Sequence, residues 1–145
     1  MTNLRVYEKA MENKEILKGV VKVVQHDDEL DTDVLILDLD GVKGYVVRDE
    51  VDAEVQWKSL VGFLGREINF MVKEVDRDRG VVICSRKDAQ IEKKEEIVER
   101  LREGEVFKAQ VINVLKYGAY VEIEGVTGLL KNVDFAEDYT TVGEV

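Results

Sequence analysis

Two tyrosines three positions apart, with a lysine before them and a glycine between, stand in the run Lys116-Tyr117-Gly118-Ala119-Tyr120-Val121-Glu122-Ile123-Glu124. Outward rings beside a cation form a platform on which unpaired nucleobases stack, each stack contributing roughly 1–3 kcal/mol. Side chains alternate between the faces of a strand, so with Ala119, Val121 and Ile123 turned to a core, Tyr120, Glu122 and Glu124 are expected to face solvent. Gly118 is expected to turn the chain tightly, letting Tyr117 end the preceding strand beside Tyr120. The same pattern also fits strand tyrosines packed half buried against their neighbours.

The elements that must hold this run fit a chain of 145 residues, enough for one ordinary domain or two small ones. A hydrophobic fraction of 45% beside 36% charged residues allows a core and excludes a disordered tail. No apolar run approaches the roughly 18 residues that cross a bilayer, and Met1-Thr2-Asn3-Leu4-Arg5 lacks a signal-peptide core. A cytoplasmic protein is expected. Cys84 is the sole cysteine, which rules out an internal disulfide, and with His26 the sole histidine there is no Cys/His zinc site. Within Val81-Val82-Ile83-Cys84 the thiol reads as core filler rather than nucleophile. No acid/base motif, metal-ligand cluster or phosphate loop is present, so no enzyme, cofactor or metal is expected. A net charge of −10 opposes simple nucleic-acid binding. RNA contact would need a local basic and aromatic patch with modest, salt-sensitive affinity; alternatively the acidity serves a basic protein partner.

Taken in order, residues 1–15 read as a lead-in helix, with Tyr7, Ala10, Met11 and Lys14 at helical spacing. Within residues 16–87, strand patterns fall at Ile16–Val24, Val34–Leu39, Val42–Val47, Ile68–Lys73 and Gly80–Ser85. Five short strands match the oligonucleotide/oligosaccharide-binding (OB) barrel. Residues 88–103 read as a charged helical linker with a thin stripe of Ile91, Val98 and Leu101 and a favourable pair, Glu96 with Arg100. From residue 104 the pattern restarts. Lys18-Gly19-Val20-Val21 lies over Lys108-Ala109-Gln110-Val111, Gly41-Val42-Lys43-Gly44 over Gly125-Val126-Thr127-Gly128, and Leu64-Gly65 over Val142-Gly143. The first copy carries six extra residues, within the acidic segment 25–33. The fold class is therefore all-β with a helical linker: a five-stranded OB-fold barrel, then a second OB-fold over 104–145 that lacks its last two strands. Such a partial barrel leaves open edges, so either the chain is expected to be an excised fragment or the first domain, another chain or a partner covers them.

These residues resemble the S-one RNA-binding motif family, from about Ile16 onward. Lys116-Tyr117-Gly118-Ala119-Tyr120-Val121 resembles the family's aromatic-glycine-alanine-aromatic-valine signature, and Gly125-Val126-Thr127-Gly128-Leu129-Leu130 its third strand. The run from Asp76 to Lys87 resembles its closing pattern, a charged turn and a strand ending in serine and two basic residues. The resemblance implies RNA contacts at Tyr117, Tyr120 and Lys131, the last replacing the family's histidine; apart from it, Lys116 and Lys108 are further candidate cations for the backbone track. In the first copy the aromatic positions fall in the acidic run Asp27, Asp28, Glu29, Asp31 and Asp33, and the histidine position holds Val47.

The resemblance thus implies a module that binds single-stranded RNA, mRNA in particular, in a bacterial translation factor. The second copy would be the reader, and the first a spacer or a dock to the ribosomal small subunit or its proteins. The alternative is an acidic protein-interaction adaptor that has lost RNA binding. Trp57, between apolar neighbours, is expected to pack rather than stack.

Overall fold

In the computed structural model, which describes residues 4–131, the spacing of Leu4, Tyr7, Ala10 and Met11 forms one apolar face of helix α1 (Leu4–Glu12). Leu4 and Ala10 are buried in the first core, with Tyr7 and Met11 packed against it. The Tyr7 hydroxyl donates to the Leu39 carbonyl at 3.0 Å, and Arg77 Nε to Glu8 at 2.9 Å.

Five strands follow: β1 (Leu17–Asp27), β2 (Thr32–Asp38), β3 (Lys43–Val47), β4 (Glu67–Asp76) and β5 (Val81–Ser85). They close into a barrel in the order β1-β2-β3-β5-β4, with the β3–β5 pair parallel. This is consistent with an OB-fold-like domain. Alternation sends Val21, Leu35, Leu37, Val46, Phe70, Val82 and Cys84 inward, and the β3–β4 connection adds Leu60 and Phe63. Burial pushes the Cys84 thiol up to about 12, so it is a packed apolar group and not a nucleophile.

The barrel closes tightly on Gly44. A Cβ there would lie 2.8 Å from Leu39 Cδ1, 3.1 Å from Cys84 Sγ and 3.3 Å from Leu37 Cβ. Gly44→Ala is therefore expected to destabilise the first unit by about 1–3 kcal/mol in urea unfolding, through overpacking. Gly62→Ala, whose Cβ would meet nothing within 4 Å, is the control expected to show no such loss.

Ser85 ends β5 and caps the next helix, α2 (Arg86–Arg102), because its hydroxyl accepts a hydrogen bond from the Asp88 amide at 2.9 Å. The chain divides into two compact units, Met1–Gln90 and Ile91–Val145, with the boundary inside α2. In the first unit the helix contributes buried Arg86, Ala89 and Gln90, and Gln90 Oε1 accepts from the Ala53 amide at 2.8 Å. In the second unit the inward helical residue is Ile97, 3% exposed, whereas Ile91 and Leu101 of the expected stripe are exposed. Lys93 and Arg100 share the Ile97 face at helical spacing. Lys93 Nζ and Arg100 each approach the Glu124 carboxylate at 3.2 Å, and the Arg100 guanidinium lies 4.5 Å from the Phe107 ring centroid. The expected Glu96–Arg100 pair forms at 3.5 Å. The Arg100 hydrogen bond, helped by Lys93, holds the Glu124 carboxyl below the usual glutamate range.

The second unit carries a three-stranded antiparallel sheet, β6 (Gln110–Leu115), β7 (Gly118–Ile123) and β8 (Val126–Lys131), in the order β6-β7-β8. Its local geometry repeats that of the first. Lys14 and Gly104, ninety positions apart, both have positive φ just past a helix, and the bonds Glu15 N–H to Ala10 O and Glu105 N–H to Arg100 O both measure 3.0 Å. At the same offset, register shifts fall between Val21 and Val23 in β1 and between Val111 and Asn113 in β6. The offset drops to eighty-four at the two-residue turns Asp40-Gly41 and Glu124-Gly125, all four with positive φ as a type I′ hairpin requires. The six-residue difference lies in the β1–β2 hairpin. The sequence match of Leu64-Gly65 with Val142-Gly143, and the expectation of two absent strands, concern residues outside those described.

Candidate nucleic-acid interface

Strand register decides what surrounds Tyr120. Across β6 and β7 the partners are Asn113 with Tyr120, Val114 with Ala119 and Leu115 with Gly118. Across β7 and β8 they are Gly118 with Lys131, Ala119 with Leu130 and Tyr120 with Leu129. Ala119 and Val121 are buried with Ala109, Val111 and Leu130 packed against them. Tyr120 therefore occupies the opposite face, between Asn113 and Leu129, with Cβ atoms about 4.5–5.5 Å apart across each pair. Tyr120 is half buried, Asn113 is exposed and Leu129 is 40% exposed.

Tyr117 is the most open ring of the run, 63% exposed. It sits with Lys116 in the two-residue turn of the β6–β7 hairpin rather than ending a strand, and Gly118 is the buried first residue of β7 rather than a turn residue. Register explains the difference: Leu115 pairs with Gly118, leaving only the two residues between them to reverse the chain. Lys131 takes the β8 position opposite Gly118, so Lys116, Tyr117, Tyr120 and the Lys131 backbone lie toward one end of the sheet. Lys108 precedes β6 at the other end, separated by a six-residue strand of roughly 17–20 Å at about 3.3 Å per residue.

Glu122 corrects the simple alternation. Expected on the wet side, it is 8% exposed, opposite Thr127, which is 2% exposed. Among the described residues no buried side-chain nitrogen or oxygen lacks a hydrogen-bond partner. Asn113 and Leu129 were missed because only strand pairing brings them beside Tyr120.

In the first unit the matching row is Val23, Ile36, Tyr45 and Ile83, successive partners across β1, β2, β3 and β5. Only one of the two aromatic positions falls in the acidic run as expected: Ile36, 8% exposed and outside that run, stands where Tyr120 does, while Val47 stands where Lys131 does. At the Tyr117 position is Asp33, held by Arg48 at 2.8 Å and His26 at 3.2 Å. The Arg48 hydrogen bond is the main reason its carboxyl lies below the usual aspartate range. Around His26 also stand Asp31 at 3.6 Å and Asp28 at 3.9 Å, and Glu29 pairs with Arg79 at 3.1 Å.

The β3–β4 connection forms an open cleft of about 790 Å³ lined in part by Arg48, Glu54, Trp57, Lys58 and Lys87. Trp57 meets Phe63 edge-on at 4.9 Å, and its indole N–H donates to Asp52 at 3.0 Å. The Asp52 side chain, fully buried, also receives Arg86 at 3.0 Å; the Arg86 guanidinium lies 5.0 Å from the Phe63 centroid and donates to the Val51 carbonyl at 2.9 Å. Trp57 is thus a packing residue. Among the described residues no His/Cys/Asp/Glu group is arranged to hold a metal ion, and no helix is long and apolar enough to cross a membrane.

Residues 100–145, which include this hairpin and row, match the family model of the S1 RNA binding domain. The chain as a whole is homologous to bacterial ribosomal protein bS1 over most of its length. It is 31% identical over 134 residues to small ribosomal subunit protein bS1 of Rhodopseudomonas palustris, covering 89% of this chain and 22% of that protein. It is also 31% identical over 127 residues to the bS1 homolog of Bacillus subtilis, covering 85% of this chain and 31% of that one. The chain thus spans between about a fifth and a third of the length of these relatives. Among solved structures, a chain of the a/eIF2alpha–aDim2p–rRNA complex from Pyrococcus horikoshii OT3 overlaps 61% of this chain and 51% of its own, with a TM-score of 0.44 and 17% identity.

Proposed function

We propose that this chain is a non-enzymatic, single-stranded RNA-binding segment of a cytoplasmic, ribosomal-protein-S1-like translation factor, with its second unit as the reader. Bases stack on Tyr120 and Tyr117, and Lys116 and Lys131 meet the phosphates. The supporting observation is the register that sets Tyr120 in an outward row near the Tyr117 turn, while the same positions in the first unit hold Ile36, Asp33 and Val47. A buried aliphatic and a carboxylate neither stack nor attract phosphate, so the first unit serves as spacer or as dock to the small subunit or its proteins. The second unit is read as a further OB-fold, and mRNA as the natural ligand. Lys108, at the far end of β6, is the cation expected to matter least.

Binding of an unstructured RNA oligomer to the whole chain, followed by fluorescence anisotropy across a salt series, tests this reading. Micromolar or weaker affinity that falls as salt rises is expected, because few cations act on a chain of net charge −10. Absence of RNA binding even at low salt would favour the second reading, which the acidic β1–β2 hairpin supports: an adaptor whose acidic surfaces grip a basic protein.

A further inference from the structure

We infer that Asn113 is a base-reading residue, so that the second unit prefers adenine at the nucleotide stacked on Tyr120. The inference rests on the RNA-binding reading above and adds to it a specificity that aromatic stacking alone does not supply, because every base has a π-face.

The row across the sheet is chemically asymmetric. Asn113 lies on one side of Tyr120 and Leu129 on the other, each a direct cross-strand partner and each exposed. A base laid on the Tyr120 ring extends beyond it toward both neighbours, which stand about 5 Å away. Leu129 offers no hydrogen bond, so the polar edge of the base is oriented toward Asn113. The Asn113 amide presents a carbonyl acceptor beside an N–H donor, a pair that matches the N6–H donor and N7 acceptor of adenine, is refused by the two acceptors N7 and O6 of guanine, and is also met by N4–H and N3 of cytosine, so that the longer reach of the purine is what separates adenine from cytosine. A purine reaches farther across the row than a pyrimidine while keeping its stack. The register shift between Val111 and Asn113 brings this side chain, rather than that of Ile112, opposite Tyr120. In the first unit the same shift brings Val23 opposite Ile36, a pair with neither ring nor amide. The ring with an amide directly beside it is thus found in the second unit alone, the first unit carrying its ring, Tyr45, one strand over at the Leu129 position.

The test measures anisotropy of the full chain with ten-nucleotide oligomers of A, C and U, for the wild type, Asn113→Ala, Asn113→Val and Tyr120→Ala, with circular dichroism checking each fold. The wild type is expected to bind oligo-A about tenfold more tightly than the pyrimidine oligomers. Asn113→Ala and Asn113→Val, the latter copying Val23, should shrink that ratio to within about twofold by weakening oligo-A more than the pyrimidine oligomers. Tyr120→Ala should weaken all three oligomers. A wild type that binds all three equally, or an unchanged ratio in both folded Asn113 variants, overturns the role of Asn113 and leaves RNA binding standing. A wild type that binds none overturns the RNA reading, and this inference with it.

Discussion

Arg86→Ala should destabilise the first unit by about 3–5 kcal/mol, because it strands the buried Asp52 carboxylate without its cation. The Arg86 side chain is 1% exposed and that of Asp52 is 0% exposed, with 3.0 Å between them. Arg86 also holds the Val51 carbonyl and lies over Phe63, while Asp52 accepts from the Glu54 and Val55 amides and the Trp57 indole. One substitution therefore unties the β3–β4 connection from the end of β5. Trp57 is the sole tryptophan, so its fluorescence during urea unfolding reports on this site directly. Asp52→Ala should cost a similar amount. The Arg86→Ala/Asp52→Ala double variant should cost clearly less than the sum, since no unpaired charge remains. A loss below about 1 kcal/mol in Arg86→Ala would mean that water reaches the pair. The serine and basic residues closing the first copy thus divide their work: Ser85 caps α2, Arg86 is buried against Asp52, and Lys87 lines the cleft.

Tyr117→Ala and Tyr120→Ala are each expected to weaken single-stranded RNA binding by about 1–3 kcal/mol, roughly 5- to 150-fold per ring. The two should differ in their effect on the fold. Tyr117, in the hairpin turn and 63% exposed, can be truncated with no change in thermal midpoint, whereas the half-buried Tyr120 also loses contact with its strand neighbours. Val121→Ala provides the contrast. Val121 is 6% exposed in the small second cluster, so its truncation should destabilise the second unit, and RNA affinity should fall only with the folded fraction. Calorimetric titration with an unstructured RNA, beside thermal unfolding of each variant, separates these cases. A double tyrosine variant that keeps wild-type affinity would remove the stacking platform from the account.

The first barrel was readable in the sequence because strong β-branched runs alternate between faces and are separated by turn residues, a pattern that Val21, Leu35, Leu37 and Val46 obey. The internal repeat was readable because turns constrain residue type: Asp40-Gly41 and Glu124-Gly125 occupy matching positive-φ turns. What the sequence hid depends on contacts between distant segments. The α2 stripe expected at Ile91, Val98 and Leu101 gave way to Ile97 with Lys93 and Arg100, because Glu124 in the β7–β8 turn offers those cations a carboxylate. Burial of the Arg86–Asp52 pair was equally hidden, since charged residues in a chain with so many charges read as surface. The candidate site was half visible. Motif and alternation pointed to the tyrosines and the lysines around them as candidates, but cross-strand register was needed to add Asn113 and Leu129 and to separate Lys108 from the rest.

The central claim, that the second unit contacts RNA and the first does not, is tested most directly by following the backbone amide signals of the isotope-labelled whole chain while unlabelled single-stranded RNA is added. Shifts are expected at Asn113, at 116–121 and around Leu129 and Lys131, with the signals of Asp27, Asp28, Asp31, Asp33, Ile36 and Val47 unmoved. Equal shifts in both units, or shifts confined to the first, would contradict it.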